Sequence, residues 1–228
     1  MSQSIIEIYK KKNLFELDDQ LAQQFSYYAK KNSNILVSGG TTFLSMYKNI
    51  IKKNNISKKA TLSLTDERIA PSRSRLLNYT SLKYFFLDQT NSVNYKSIYS
   101  GDDYFNSHDI ILKKAHNDVL DSEIDIGFIG VGNDGHIASI FNDAKIIKKR
   151  KKLSIVKRGN EKFSRITHNL ESLLMIPCLI VVFRGRDKSN MFYSSILNVQ
   201  KKNKKYKNIG VIKKLIKLYK GKLVILTN

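Results

Sequence analysis

The stretch I-D-I-G-F-I at Ile124–Ile129, running directly into G-V-G-N-D-G-H at Gly130–His136, decides how this chain is read. A short apolar run has the length of a buried strand rather than a helix, and the glycines, asparagine and aspartate that follow end it. The same order recurs three times. Ile35–Val37 runs into Ser38-Gly39-Gly40-Thr41-Thr42, Ala60–Leu64 into Thr65-Asp66-Glu67-Arg68, and Cys178–Phe183 into Arg184-Gly185-Arg186-Asp187-Lys188.

Helical patterns lie between these runs. Phe15, Leu17, Leu21, Phe25 and Tyr28 recur at spacings near 3.6 and predict an amphipathic helix whose stripe is core. Helical spacing resumes at Phe43, Leu44 and Tyr47, and Tyr104–Leu120 and Ser189–Leu197 read as further helices. Buried runs alternating with helices predict an α/β fold: a mostly parallel sheet with helices on both faces, a modified Rossmann-like three-layer domain. Only Pro71 and Pro177 interrupt the chain and no Gly/Ser-rich linker divides it, so residues 1–228 are read as one domain. Ligands of such folds bind beyond the carboxyl ends of the strands. All four polar clusters are therefore expected on one edge.

With 228 residues, 42% of them hydrophobic, the chain can bury a substantial core, which excludes disorder and miniature disulfide scaffolds. Forty Lys+Arg against nineteen Asp+Glu leave +21, concentrated in Lys145–Lys152, Lys201–Lys207 and Lys213–Lys222. Those runs lack the interleaved aromatics of a single-strand stacking surface, which weakens a nucleic-acid reading. Cys178, the lone cysteine, excludes an intrachain disulfide and fits a core thiol in a reducing compartment. The N-terminus carries no apolar signal core, and no window reaches about 18 apolar residues. A cytoplasmic protein without a membrane partner is expected.

Ser38–Thr42, between a strand and a helix, offers backbone N–H groups and hydroxyls to an anion, and it lacks the lysine of a Walker loop. Gly130–Gly135 matches G-x-G-x-x-G, but a dinucleotide site wants an acid about 20 residues on, where L-S-I-V-K-R at Leu153–Arg158 offers none. That fingerprint leaves Asp134 and His136 unexplained, flanking Gly135 at the expected start of a helix, where a neutral imidazole could serve as a base. His108, His116 and His168 read as capped or solvated side chains. Metal-ligand spacing and a G-x-S-x-G elbow are absent. Arg68, Arg165 and Lys188, read as sitting at strand exits, could form a phosphate clamp.

Taken in order, V-S-G-G-T-T (37–42), T-D-E-R-I-A-P (65–71) with Asn78, G-V-G-N-D-G-H-I-A-S-I-F (130–141), R-I-T (165–167) and F-R-G-R-D-K (183–188) resemble the 6-phosphogluconolactonase family, which shares a superfamily with glucosamine-6-phosphate deaminases. Arg68 and Asp134 lean toward the lactonases and Ile137 toward the deaminases. Phe43 and Asn142 stand where the lactonase pattern carries proline, and the chain stops at L-V-I-L-T-N where the family continues into an acidic helix. The resemblance implies that His136 is the general base, that Asp134 orients it or the substrate, and that Arg68 meets the developing oxyanion. It implies that Gly39, Gly40, Thr41, Asp66, Arg165 and Lys188 bind the phosphorylated substrate. No cofactor, no metal, a sugar-phosphate partner and a monomeric state follow. A sugar-phosphate deaminase or isomerase and a basic nucleic-acid-binding protein stay open as alternatives.

Overall fold

The computed structural model describes residues 5–53, 60–90, 93–119, 123–159, 161–197 and 209–228. Seven parallel strands form the main sheet. In spatial order they are β1 (Ile5–Lys10), β11 (Lys222–Thr227), β10 (Cys178–Phe183), β6 (Ile126–Gly130), β2 (Asn34–Val37), β3 (Ala60–Leu64) and β5 (Val93–Tyr95). The central strands are buried on both faces, which is why their sequences are nearly unbroken apolar runs rather than alternating ones.

One face packs on α1 (Leu14–Lys30), α2 (Leu44–Lys53) and α3 (Asn78–Phe85) through Phe25, Tyr47, Phe86 and Phe128. The other packs on α5 (Leu170–Leu174), α6 (Arg186–Met191) and α7 (Gly210–Leu218), where Leu179, Val181 and Ile225 meet Leu173, Met191 and Leu215. The α/β reading is thus correct, with helices on both faces. Cys178 is buried in the core as expected.

A second sheet was not anticipated. β4 (Asp66–Arg68), β9 (Arg165–His168), β8 (Leu153–Arg158) and β7 (Ala144–Arg150) pair antiparallel in that order. Leu153, Ile155 and Ile166 turn one of its faces onto α4 (His108–Val119). The Lys145–Lys152 run is therefore largely an edge strand, with Lys145, Lys148, Lys149 and Lys151 exposed and Lys152 partly buried. Lysines along a sheet edge oppose pairing with another chain. The Lys201–Lys207 run lies outside the described residues.

Several local expectations need correction. Phe15 is 74% exposed, because it points away from the stripe formed by Leu17, Leu21 and Phe25. The helix expected from Tyr104 starts at His108, after a turn, and Leu120 lies outside the described residues. α6 begins before Ser189, at Arg186, and hands over to a π-helical turn at Phe192–Ile196. His168 is not solvated but fully buried, its Nδ1 2.9 Å from Ser172 Oγ.

Candidate functional site

Four neighbouring strands, β10, β6, β2 and β3, end on one edge of the main sheet, and there a cleft of about 300 Å3 opens. A larger cleft, about 570 Å3, lies between the second sheet and α5 and α7 and gathers none of the cationic and imidazole groups described next.

The floor is built from the strand-exit residues. Ser38 Nα donates to Phe128 O (2.9 Å), and Ser38 Oγ accepts from Gly130 Nα (3.2 Å), tying the ends of β2 and β6 together. Gly40 has φ of 78°, a backbone conformation that favours glycine, and no heavy atom lies within 4 Å of where its Cβ would stand. Gly39 is needed for a different reason: a Cβ there would meet the Asn78 amide at 2.1 Å. Asn78 is held in turn by donating from Nδ2 to Asp66 O (2.9 Å). Asp66 is buried, its carboxylate accepting from Thr65 Oγ1 (2.9 Å) and Ser139 Oγ (2.5 Å).

His136 does not start a helix. Gly135 and Ala138 have φ of 77° and 50°, values a continuing helix cannot contain, and the segment closes as a tight loop in which Gly132 Nα donates to His136 O (2.9 Å). Val131 and Ile140 each bridge to Ile137. The loop aims the imidazole at the cleft while Asp134 stands behind it, Oδ1 bonded to His136 Nδ1 and Oδ2 accepting from Arg158 Nη2 (2.7 Å). The hydrogen bond from His136, with Arg158 adding to it, holds the Asp134 carboxyl far below the usual carboxylate range. An ionised carboxylate on Nδ1 makes that nitrogen the donor, so in the neutral ring the lone pair falls to Nε2.

Arg68 and Arg165 do not sit at parallel strand exits as expected. They arrive from the second sheet, directly opposite each other in the β4–β9 pair. Like charges in register repel. Glu161 relieves part of this, accepting from Arg165 Nε and Nη2 at 2.9 and 3.0 Å and leaving Nη1. Arg68 donates from Nη1 to Leu76 O (2.5 Å), and its buried Nε has no hydrogen-bond partner among the described residues.

Lys188 lies in the first turn of α6, after Gly185 at φ 94°. Burial, with Arg184 close by, pulls its pKa down, against a weaker attraction from the Asp134 carboxylate. A half-buried ammonium and two arginines around one small cleft suit a ligand that brings its own negative charge.

All the residues singled out from the sequence thus gather here: Gly39, Gly40, Thr41, Asp66, Arg68, His136, Arg165 and Lys188 line the cleft, and Asp134 backs it. Arg158 and Glu67 were missed. The buried Glu67 carboxylate accepts from the main-chain N–H groups of Arg68, Asn78 and Tyr79, each at 2.7 Å, and so pins the β4 arginine to the start of α3. Burial outweighs those bonds and lifts its pKa to about 7.

A parallel α/β sheet with an imidazole–carboxylate pair and a cationic cleft at its strand ends defines the structural class of the protein. More particularly, the chain belongs to the family described as glucosamine-6-phosphate isomerases/6-phosphogluconolactonase, whose model matches residues 12–213. Among curated relatives it is 25% identical over 121 residues to 6-phosphogluconolactonase 3 of Saccharomyces cerevisiae, a match covering 49% of each chain. The chain thus spans about half the length of that relative. The solved 6-phosphogluconolactonase of Thermotoga maritima superposes with a TM-score of 0.75 at 18% identity, covering 98% of this chain and 100% of that one. A monomeric glucosamine-6-phosphate deaminase superposes equally well, with a TM-score of 0.75 at 15% identity and 97% of each chain covered. The fold is therefore common to both activities.

Proposed function

We propose that this protein hydrolyses 6-phospho-D-glucono-1,5-lactone to 6-phosphogluconate, acting as a cytoplasmic monomer in which residues 1–228 form one unit. The observation that carries the reading is the His136–Asp134 pair at the lip of a cleft whose other walls present Arg68, Arg165 and Lys188.

In this reading His136 Nε2 takes a proton from water as the water oxygen bonds to C1 of the lactone. Asp134 stabilises the imidazolium that forms. The carbonyl electrons move onto the C1 oxygen, where Arg68 meets the negative charge. Collapse breaks the bond from C1 to the ring oxygen, and His136 returns its proton to that oxygen. The resulting acid ionises, releasing one proton per turnover. Lys188, the Nη1 of Arg165 that Glu161 does not engage and the amides of Gly39–Thr41 hold the phosphate, and Asp66, buried beside Ser139, fixes the β3 exit against them.

Proton release from freshly prepared 6-phosphogluconolactone in a pH-stat, above the spontaneous rate, tests the assignment. A rate equal to the spontaneous one would overturn it. Ammonia released from glucosamine 6-phosphate would move the protein to the deaminase branch, toward which Ile137 leans.

A further inference from the structure

Asp134 is itself held from behind, by a residue that the proposed chemistry leaves unused. Arg158, the last residue of β8, donates from Nη2 to Asp134 Oδ2 (2.7 Å) and from Nε to Asp143 Oδ1 (3.0 Å). Its guanidinium carbon stands 4.4 Å from the centre of the Phe141 ring, and the same ring lies 4.4 Å, centroid to centroid, from the His136 imidazole. One planar cation thus touches the carboxylate that bonds His136 and also the aromatic ring that backs it. Arg165 approaches Phe141 as well, at 5.3 Å.

We propose that Arg158 is a positioning residue that sets the tautomer and aim of His136, acting through Asp134 and Phe141. Asp134 occupies a turn with its side chain 38% exposed, so without a tether its carboxylate can swing into water. Arg158 supplies that tether, and Asp143 fixes Arg158 in turn. Arginine suits the position because its fork serves two carboxylates while its flat face stacks, and a lysine can do one of these at a time. The charged groups around the pair are Asp134, Asp143 and Arg158 themselves, with Arg165 and its partner Glu161 across Phe141, and Lys188 from α6.

This inference rests on His136 serving as the base, so its test has an arm that does not use turnover. Imidazole 15N spectra of the full chain, assigned with His136→Asn, should show His136 of the native protein as the Nδ1–H tautomer. In Arg158→Gln its two nitrogen shifts should move toward each other as the Nε2–H form appears, while the buried His168 stays put as an internal check on folding. In kinetics Arg158→Gln should lower kcat roughly tenfold, a fraction of the 10²–10⁴ that a positioned base contributes, with KM within about twofold. Arg158→Lys should recover part of the loss, and Asp143→Asn should give a weaker version of it.

An unchanged His136 tautomer together with unchanged kcat in Arg158→Gln would overturn the proposal. A raised KM at constant kcat would do so too, since it would mean that Arg158 touches substrate. Native protein without lactonase activity but with the expected spectral change would refute the functional assignment and leave the positioning role standing.

Discussion

A Cβ on Gly132 would lie 2.0 Å from Cε1 and 2.1 Å from Nδ1 of His136. The second glycine of G-V-G-N-D-G-H therefore leaves room for the imidazole to fold back against its own loop, next to Asp134. Gly130 has a related task, since a Cβ there would press on Thr42 at 3.1 Å. The glycines that mimic a dinucleotide fingerprint are accounted for by contacts within the chain.

Gly132→Ala should accordingly displace the imidazole without unfolding the sheet. A shift of about 1 Å in a reacting group can cost roughly 10²-fold in rate, so kcat should fall by about that factor. Thermal melting and kcat measured on the same preparation check this. A variant with native kcat would show that the ring need not occupy its observed place.

His136→Ala should lower the rate by roughly 10²–10⁴, the usual contribution of a positioned base, with the fold retained. The measurement is proton release with spontaneous lactone opening subtracted. Near-native turnover would remove His136 from the mechanism.

Lys188→Ala should act on binding. A half-buried ammonium facing a phosphate gives a charge-assisted bond worth about 1.5–3 kcal/mol, so KM for the phosphorylated lactone should rise roughly 10- to 150-fold. Arg165→Ala should have a smaller effect, because Glu161 already occupies two of its three nitrogens. Gluconolactone lacking the phosphate should be nearly indifferent to both changes. Equal losses on both substrates would mean that these cations serve the fold rather than the phosphate.

The parts of the molecule legible in the sequence were those governed by local pattern. β2, β3, β6 and β10 are buried on both faces, so each is written as an apolar run that a polar cluster ends, and their common edge follows from the parallel fold. The second sheet carries no such signature. β7 reads A-K-I-I-K-K-R with almost every side chain in water, and β4 is three polar residues whose strand character comes only from pairing with β9. Glu67 looked like one acid among nineteen. Its burial is compensated by three main-chain N–H groups, which no side-chain pattern announces. Arg158 lay in a stretch read only for the acid it lacks, and its partners are distant in sequence: Asp143 meets it because β7 and β8 pair with Ala144 opposite Arg158, and Asp134 reaches it from the loop after β6.

Two buried groups should tilt stability against pH in opposite directions. His168 is fully buried, and burial lowers its pKa from 6.5 to about 4. Between those values the unfolded chain binds the extra proton, so the contribution of His168 is complete above pH 6.5 and is lost as pH falls toward 4. Glu67 runs the other way, with its pKa raised from 4.5 to about 7. In that window the folded protein holds the extra proton, so its contribution is complete below pH 4.5 and is lost as pH rises through 7. Each shift corresponds to about 3 kcal/mol at roughly 1.36 kcal/mol per pH unit, so the two nearly cancel in the native protein. His168→Gln should then gain stability relative to native protein as pH drops from 6.5 to 4.5, and Glu67→Gln should lose it over the same range. Urea midpoints at four or five pH values, plotted as variant minus native, isolate each slope from the surface carboxylates that both proteins share. A difference plot that is flat, or that tilts against its expected direction, would show that the group replaced in that variant does not titrate in the folded state as its surroundings dictate.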